Sequence, residues 1–181
     1  RLLENNETGA DLSKSALLGG VLLSQSSKSV VFLVGNEEYG IPVEYVVSIE
    51  KNEEVTPIPH LPSFVKGMVK SRGELIPVID FEMVLYNRAL EQNDDVRMIV
   101  LHTDELSIGL LVKEAKEILD IANESLQQIG LLAYSKTAYF TSVANLENRL
   151  ITMIDPNILI ASLESIKEIK EYMKEYKQEI Q

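Results

Sequence analysis

The sequence has no cysteine, no tryptophan and only two histidines in 181 residues. Without cysteine there is no disulfide framework, no thiol nucleophile and no cysteine-based zinc site. The histidines, His60 and His102, have no neighbour at H-x-x-x-H or H-E-x-x-H spacing, so ordinary surface and strand-end roles are expected for both. Basic charge is also scarce. Seventeen Lys and Arg stand against 28 Asp and Glu, a net charge of −11, which argues against the phosphate-neutralising face that nucleic-acid binding requires. No apolar run reaches the roughly 18 residues of a membrane-spanning helix. The longest one near the start, Ala16 to Leu23, contains Gly19-Gly20 and lacks the basic flank of a signal peptide. The expectation is a cytoplasmic protein without metal or cofactor. Because the first residue is Arg1 and not Met, a trimmed chain or a piece of a longer one is expected.

Catalytic signatures are missing as well: there is no G-x-S-x-G elbow, no G-x-x-x-x-G-K-[ST] loop and no G-x-G-x-x-G loop. The acidic pairs Glu37-Glu38, Glu53-Glu54 and Asp94-Asp95 fall in expected turns, where solvated charge is the ordinary reading. A non-enzymatic protein follows, with its function on the surface.

What is present is β texture. An apolar content of 45% supports one compact domain or two intimately joined small ones. Residues 1–28 read as a loose leader, with a short docked helix over Asp11 to Leu23 as the alternative. Val30 to Val34 is a β-branched and aromatic run closed by Gly35-Asn36. A second run extends from Tyr39 to Ile49, with Pro42 favouring an edge or bulge. Thr56 to Pro62 holds three prolines and predicts a stiff extended strap. Gly67-Met68-Val69 and Leu75 to Ile79 flank a polar turn, which puts Arg72 near a hairpin tip.

The pattern then repeats. An offset of 69 places Val30, Gly40, Val43 and Ile49 on Ile99, Gly109, Val112 and Ile118, and an offset of 75 places Leu75-Ile76 and Ile79-Asp80 on Leu150-Ile151 and Ile154-Asp155. The six-residue difference implies an insertion between Ile118 and Leu150, placed in the polar stretch Asn123 to Lys136. Two small β-barrels or curled sheets follow, about 29–95 and 96–160, each too small to be comfortable alone. A shared interface and an apolar groove along it are expected. From Asn157, apolar residues recur at Leu159, Leu163, Ile166, Ile169, Met173, Tyr176 and Ile180, predicting a helix that occupies 161–181 and packs on its own domain or on a partner.

Val30 to Gly35 with Glu38 to Val43, Val55 to Pro59, and above all Phe64 to Val69 with Arg72 to Asp80 make the chain resemble the CheW family of chemotaxis coupling proteins. The blocks Gly109 to Leu119 and Leu150 to Asp155 are similar to its second half, and the resemblance runs from about residue 29 to 160. It implies two intertwined five-stranded SH3-like barrels and a scaffold that couples a receptor's cytoplasmic tip to the regulatory domain of the histidine kinase CheA, recruited to membrane receptor arrays without inserting in the bilayer. It also implies partner-binding roles. Arg72, with Gly73 and Glu74, aligns with the family's Asn-Leu-Arg-Gly motif associated with receptor coupling. Val46 and Ile49 fall on the Val-x-Glu-Ile segment implicated in meeting the kinase. The chain departs from the family at Lys70-Ser71, at Ser48 and at Lys113, which bears on partner identity more than on fold. A module of a larger regulatory protein, such as a CheV-like protein with a receiver domain, is the alternative.

Overall fold

The computed structural model describes residues 16–18, 21–23, 26–51, 54–129 and 138–179. In chain order its elements are strands β1 (Ala16–Leu18), β2 (Val21–Leu23), β3 (Ser26–Val34), β4 (Glu37–Pro42), β5 (Val46–Lys51), β6 (Val65–Ser71) and β7 (Glu74–Asp80), then helix α1 (Phe81–Tyr86). The second series is β8 (Arg97–His102), β9 (Ser107–Val112), β10 (Glu114–Ala122), β11 (Leu126–Gln128), β12 (Phe140–Leu146) and β13 (Arg149–Ile154), followed by helices α2 (Pro156–Ser162) and α3 (Ile166–Glu179).

The chain is mainly β, and the repeat seen in the sequence is a repeat of structure with exchanged strands. One sheet has the order β5-β8-β9-β7-β6 and the other β10-β3-β4-β13-β12-β11. Shifted by 69, β3, β4 and β5 become β8, β9 and β10; shifted by 75, β6 and β7 become β12 and β13. The shift holds register by register: Met153 pairs with Gly40 in one sheet as Val78 pairs with Gly109 in the other. Each sheet therefore takes its middle pair of strands from the other half of the sequence. The extra residues of the second half fall between β10 and β12, and residues 130–136 of the expected insertion lie outside the described residues.

Both sheets curl toward closure. In the first, Thr56 and Met68 exchange backbone hydrogen bonds at 2.9 and 2.8 Å, so the chain leaving β5 covers the outer edge of β6. Gly67 makes this possible: a Cβ there would lie 2.1 Å from the Thr56 carbonyl oxygen. Since Met68 turns its polar groups to Thr56, its partner across the ladder, Pro77, needs no amide hydrogen at that pair. In the second sheet, the end strands β10 and β11 are joined by the 3₁₀ turn Asn123–Ser125. The proline strap is extended as expected, but it also inserts Ile58 into the core.

Three apolar clusters result, one inside each barrel and the largest between them. The central cluster stacks Phe32, Tyr39, Phe81, Tyr139 and Phe140 with centroids 4.8 to 6.1 Å apart. It is sealed by Leu159, Ile160, Leu163, Ile169 and Met173 from the C-terminal helices. The long apolar groove expected along this seam is therefore largely filled by the chain itself. What stays open is a depression of about 530 Å³ bordered by Phe64, Met83, Val84, Tyr139 and Leu163.

Other expectations also change. Residues 16–18 and 21–23 pair as an antiparallel hairpin where the alternative was a helix; Gly19-Gly20, costly inside a helix, separates them in sequence. The tail is two helices and not one. Leu163 is extended, Ser165 has φ 62°, and a new helix starts when Ile169 N–H donates to the Ser165 carbonyl. The apolar period runs through the break because both helices bury the same face, so the pattern conceals it. Ile180 lies outside the described residues.

Candidate functional site

The hairpin β6–β7 closes through two residues, since Ser71 pairs with Glu74. Both turn residues have positive φ, 52° at Arg72 and 81° at Gly73, as the mirror-image hairpin turns require. At Gly73 a Cβ would meet nothing within 4 Å, so backbone conformation and not space calls for glycine. Arg72 accepts the left-handed region at a cost of about 1–2 kcal/mol. The tip is short and rigid, and it holds the Arg72 side chain in solvent.

Among the described arginines, Arg72 alone has no hydrogen-bond or ion-pair partner. Arg88 binds Glu82 at 2.7 Å, Arg97 donates to the carbonyls of Asp94 and Val96, and Arg149 is bound by two carboxylates. The Arg72 tip lies beside β5. Glu50 accepts hydrogen bonds from Ser48 Oγ at 2.7 Å and Ser71 Oγ at 3.2 Å, which ties β5 to the end of β6. Along β5 a bulge lies between Val46 and Ser48. Burial nevertheless alternates along the strand: Val46 packs against the central core, while Val47, 41% exposed, and Ile49, 38% exposed, share the surface face. The site thus combines a free cation, a short apolar stripe and the exposed Gly73 and Glu74. Among the described residues no group of His, Asp and Glu can hold a metal ion, and no helix is long and apolar enough to cross a membrane.

The candidate residues are therefore brought together with one difference in emphasis: Val46 is half-buried, and its neighbour Val47, unmarked in the sequence, takes the surface position. Val47 lies two residues from Ile49, so strand alternation puts both on one face. Of the departures from the resembled family, Ser48 holds Glu50, and Lys113 Nζ donates to the Gly35 carbonyl at 3.2 Å, bracing the β3–β4 turn. His102 sits at a strand end against Ser107, and His60 is exposed in the strap with φ 68°.

The equivalent tip of the second barrel differs. Its turn is Glu147-Asn148, with Asn148 at φ 67°. Arg149 follows it, with Nη2 2.5 Å from Glu38 and 2.9 Å from Glu117. Glu38, expected to be a solvated turn acid, is instead a half-buried β4 residue in a paired cluster. Its hydrogen bonds, with those of Glu117, raise the Arg149 pKa above its usual value.

A family model described as CheW-like domain matches residues 28–164. The chain is 28% identical over 156 residues to "Chemotaxis protein CheW" of Klebsiella aerogenes, spanning 86% of this chain and 93% of that one. It is 28% identical over 139 residues to "Chemotaxis protein CheW" of Bacillus subtilis, with 76% and 89% covered. Among solved structures, the scaffolding protein TtCheW of Thermoanaerobacter tengcongensis superimposes with a TM-score of 0.69 at 27% identity, covering 75% of this chain and 93% of that one.

Proposed function

Because the chain belongs to the CheW-like domain family, with residues 28–164 matched, we propose that it is a non-enzymatic scaffold of bacterial chemotaxis, coupling the cytoplasmic tip of a chemoreceptor to the regulatory domain of the histidine kinase CheA. The observation that carries this reading is Arg72, a cation held free of partners on a two-residue turn beside the apolar stripe of β5. A scaffold needs such a surface, because an unpaired charge on a rigid support loses little conformational entropy on binding and gives orientation to an apolar contact. Arg72, Gly73 and Glu74 meet the receptor, and the β5 segment that carries Val46 and Ile49 meets the kinase. The area of such a stripe is small, so each contact is micromolar and arrays gain strength from multivalency.

Titration of the purified chain with a receptor cytoplasmic fragment and, separately, with the CheA regulatory domain tests the reading. Arg72→Ala is expected to weaken receptor binding by about tenfold, the scale of one interfacial arginine, and Ile49→Asp to weaken kinase binding, each with native circular dichroism. Unchanged affinities in both variants would remove this face from the interface.

A further inference from the structure

The two barrels are built to the same register, but differ in the side chains at one matched place. The second barrel contains a cavity of about 160 Å³, room for about five waters. Its lining combines the apolar Ile121, Met153 and Ile154 with the polar Ser29, Ser142, Tyr45 and Asp155. Ser29 is 1% exposed and Ser142 5%, yet neither hydroxyl bonds a described residue. Asp155 spends Oδ1 on the amides of Asn157 and Ile158, and its Oδ2 accepts nothing from the described residues. Burial first, and then the charges of Asp155, Glu44 and Asp104, raise the Tyr45 pKa, so the phenol keeps its proton and stays a donor.

The first barrel shows what completes this arrangement. The counterpart of Asp155 is Asp80, which is fully buried. There Oδ1 takes the Met83 amide, Oδ2 takes the Leu90 amide at 2.9 Å, and the Lys66 ammonium stands 3.7 Å from Oδ2. The space beside it is filled by Val96, Met98 and Leu90. In the second barrel each of these is subtracted: Thr141 stands for Lys66, Ser29 for Met98 and Ser27 for Val96, and the chain after α2 turns into α3 instead of returning a counterpart of Leu90. Thr141 and Lys66 hold the same bulge position in their strands, so the correspondence is not a matter of alignment choice.

We infer that this cavity is a binding site for a small organic ammonium with a short apolar body: the charge meets Asp155 Oδ2, the Ser29, Ser142 and Tyr45 hydroxyls meet the N–H groups, and the body lies on Met153 and Ile121. Among the described residues lining the cavity Asp155 alone is charged, which favours a cation over an anion.

The test is a titration of the full chain with n-butylammonium, 1-butanol and butyrate at neutral pH, followed by amide chemical shifts. Butylammonium is expected to give saturable shifts at Ser29, Ser142 and Asp155 in the millimolar range, with butanol at least tenfold weaker and butyrate silent. Asp155→Asn, which keeps the helix cap, should cost about tenfold. Thr141→Lys supplies an internal ammonium and Ser29→Met fills the space, so each should abolish the shifts. Absence of saturable shifts, equal affinity for butyrate, or undiminished binding in Thr141→Lys would overturn the inference.

Discussion

The two barrels share strand order, bulge position and a helix-capping aspartate, and differ in how they use charge. The first buries Asp80 with Lys66 and two amides inside and leaves Arg72 unpaired at its tip. The second leaves Asp155 half-satisfied inside and consumes Arg149 at its tip with Glu38 and Glu117. A duplicated backbone thus constrains the residues that close turns and fill interiors. The charged positions at the two tips are free to diverge, because in solvent a pairing changes stability only modestly.

That contrast can be broken experimentally. The largest effect is expected from Asp80→Ala, which strands the amides of Met83 and Leu90 and empties a buried position, and should cost about 4 kcal/mol in denaturant unfolding. Asp155→Ala loses little more than a cap, about 1 kcal/mol; equal losses would show the interiors to be equivalent after all. Removing residues 164–181 uncovers the surface buried by Ile169 and Met173, and should cost about 3 kcal/mol and lower Tm by about 6–12 °C. Partner affinity should stay unchanged, whereas a loss of binding at constant Tm would make α3 an interaction element. Arg149→Ala takes the shared cation from Glu38 and Glu117, and because the cluster is partly exposed the expected loss is about 1 kcal/mol. At the other tip, Arg72→Ala should fall within about 0.5 kcal/mol of the parent.

The seam gives a pH dependence. Burial, then the hydrogen bond to Tyr86, holds the Tyr39 phenol well above its ordinary value, and burial also raises Tyr139. Both stay protonated in the fold while the unfolded chain ionises near pH 10. The stability they contribute is present below that pH and is lost as pH rises beyond it. Tyr39→Phe should therefore flatten the alkaline decline, measured as Tm between pH 9 and 11.

Much of this was legible in order and spacing. Strand runs, the strap, the Arg72 turn and the repeat at offsets 69 and 75 are local patterns, and local patterns report which residues need burial or positive φ. Arg72 and Gly73 were legible because a two-residue turn leaves few conformations. Ile49 emerged as a strand position, and Val47 shares its face by alternation, but which face of the strand is covered depended on the packing of the sheets.

What the sequence determined by itself is a β protein of two like halves with an amphipathic tail and no catalytic or metal-binding pattern among its residues. Tertiary structure decided the rest: that the halves exchange strand pairs, that α3 closes the seam, that Glu38 reaches Arg149 across 111 residues, and that one aspartate is enclosed while its twin faces a cavity. The reason is physical. Hydrophobic period records that a face is buried but not against what, and an ion pair or a void depends on side chains that meet only after the sheets have closed.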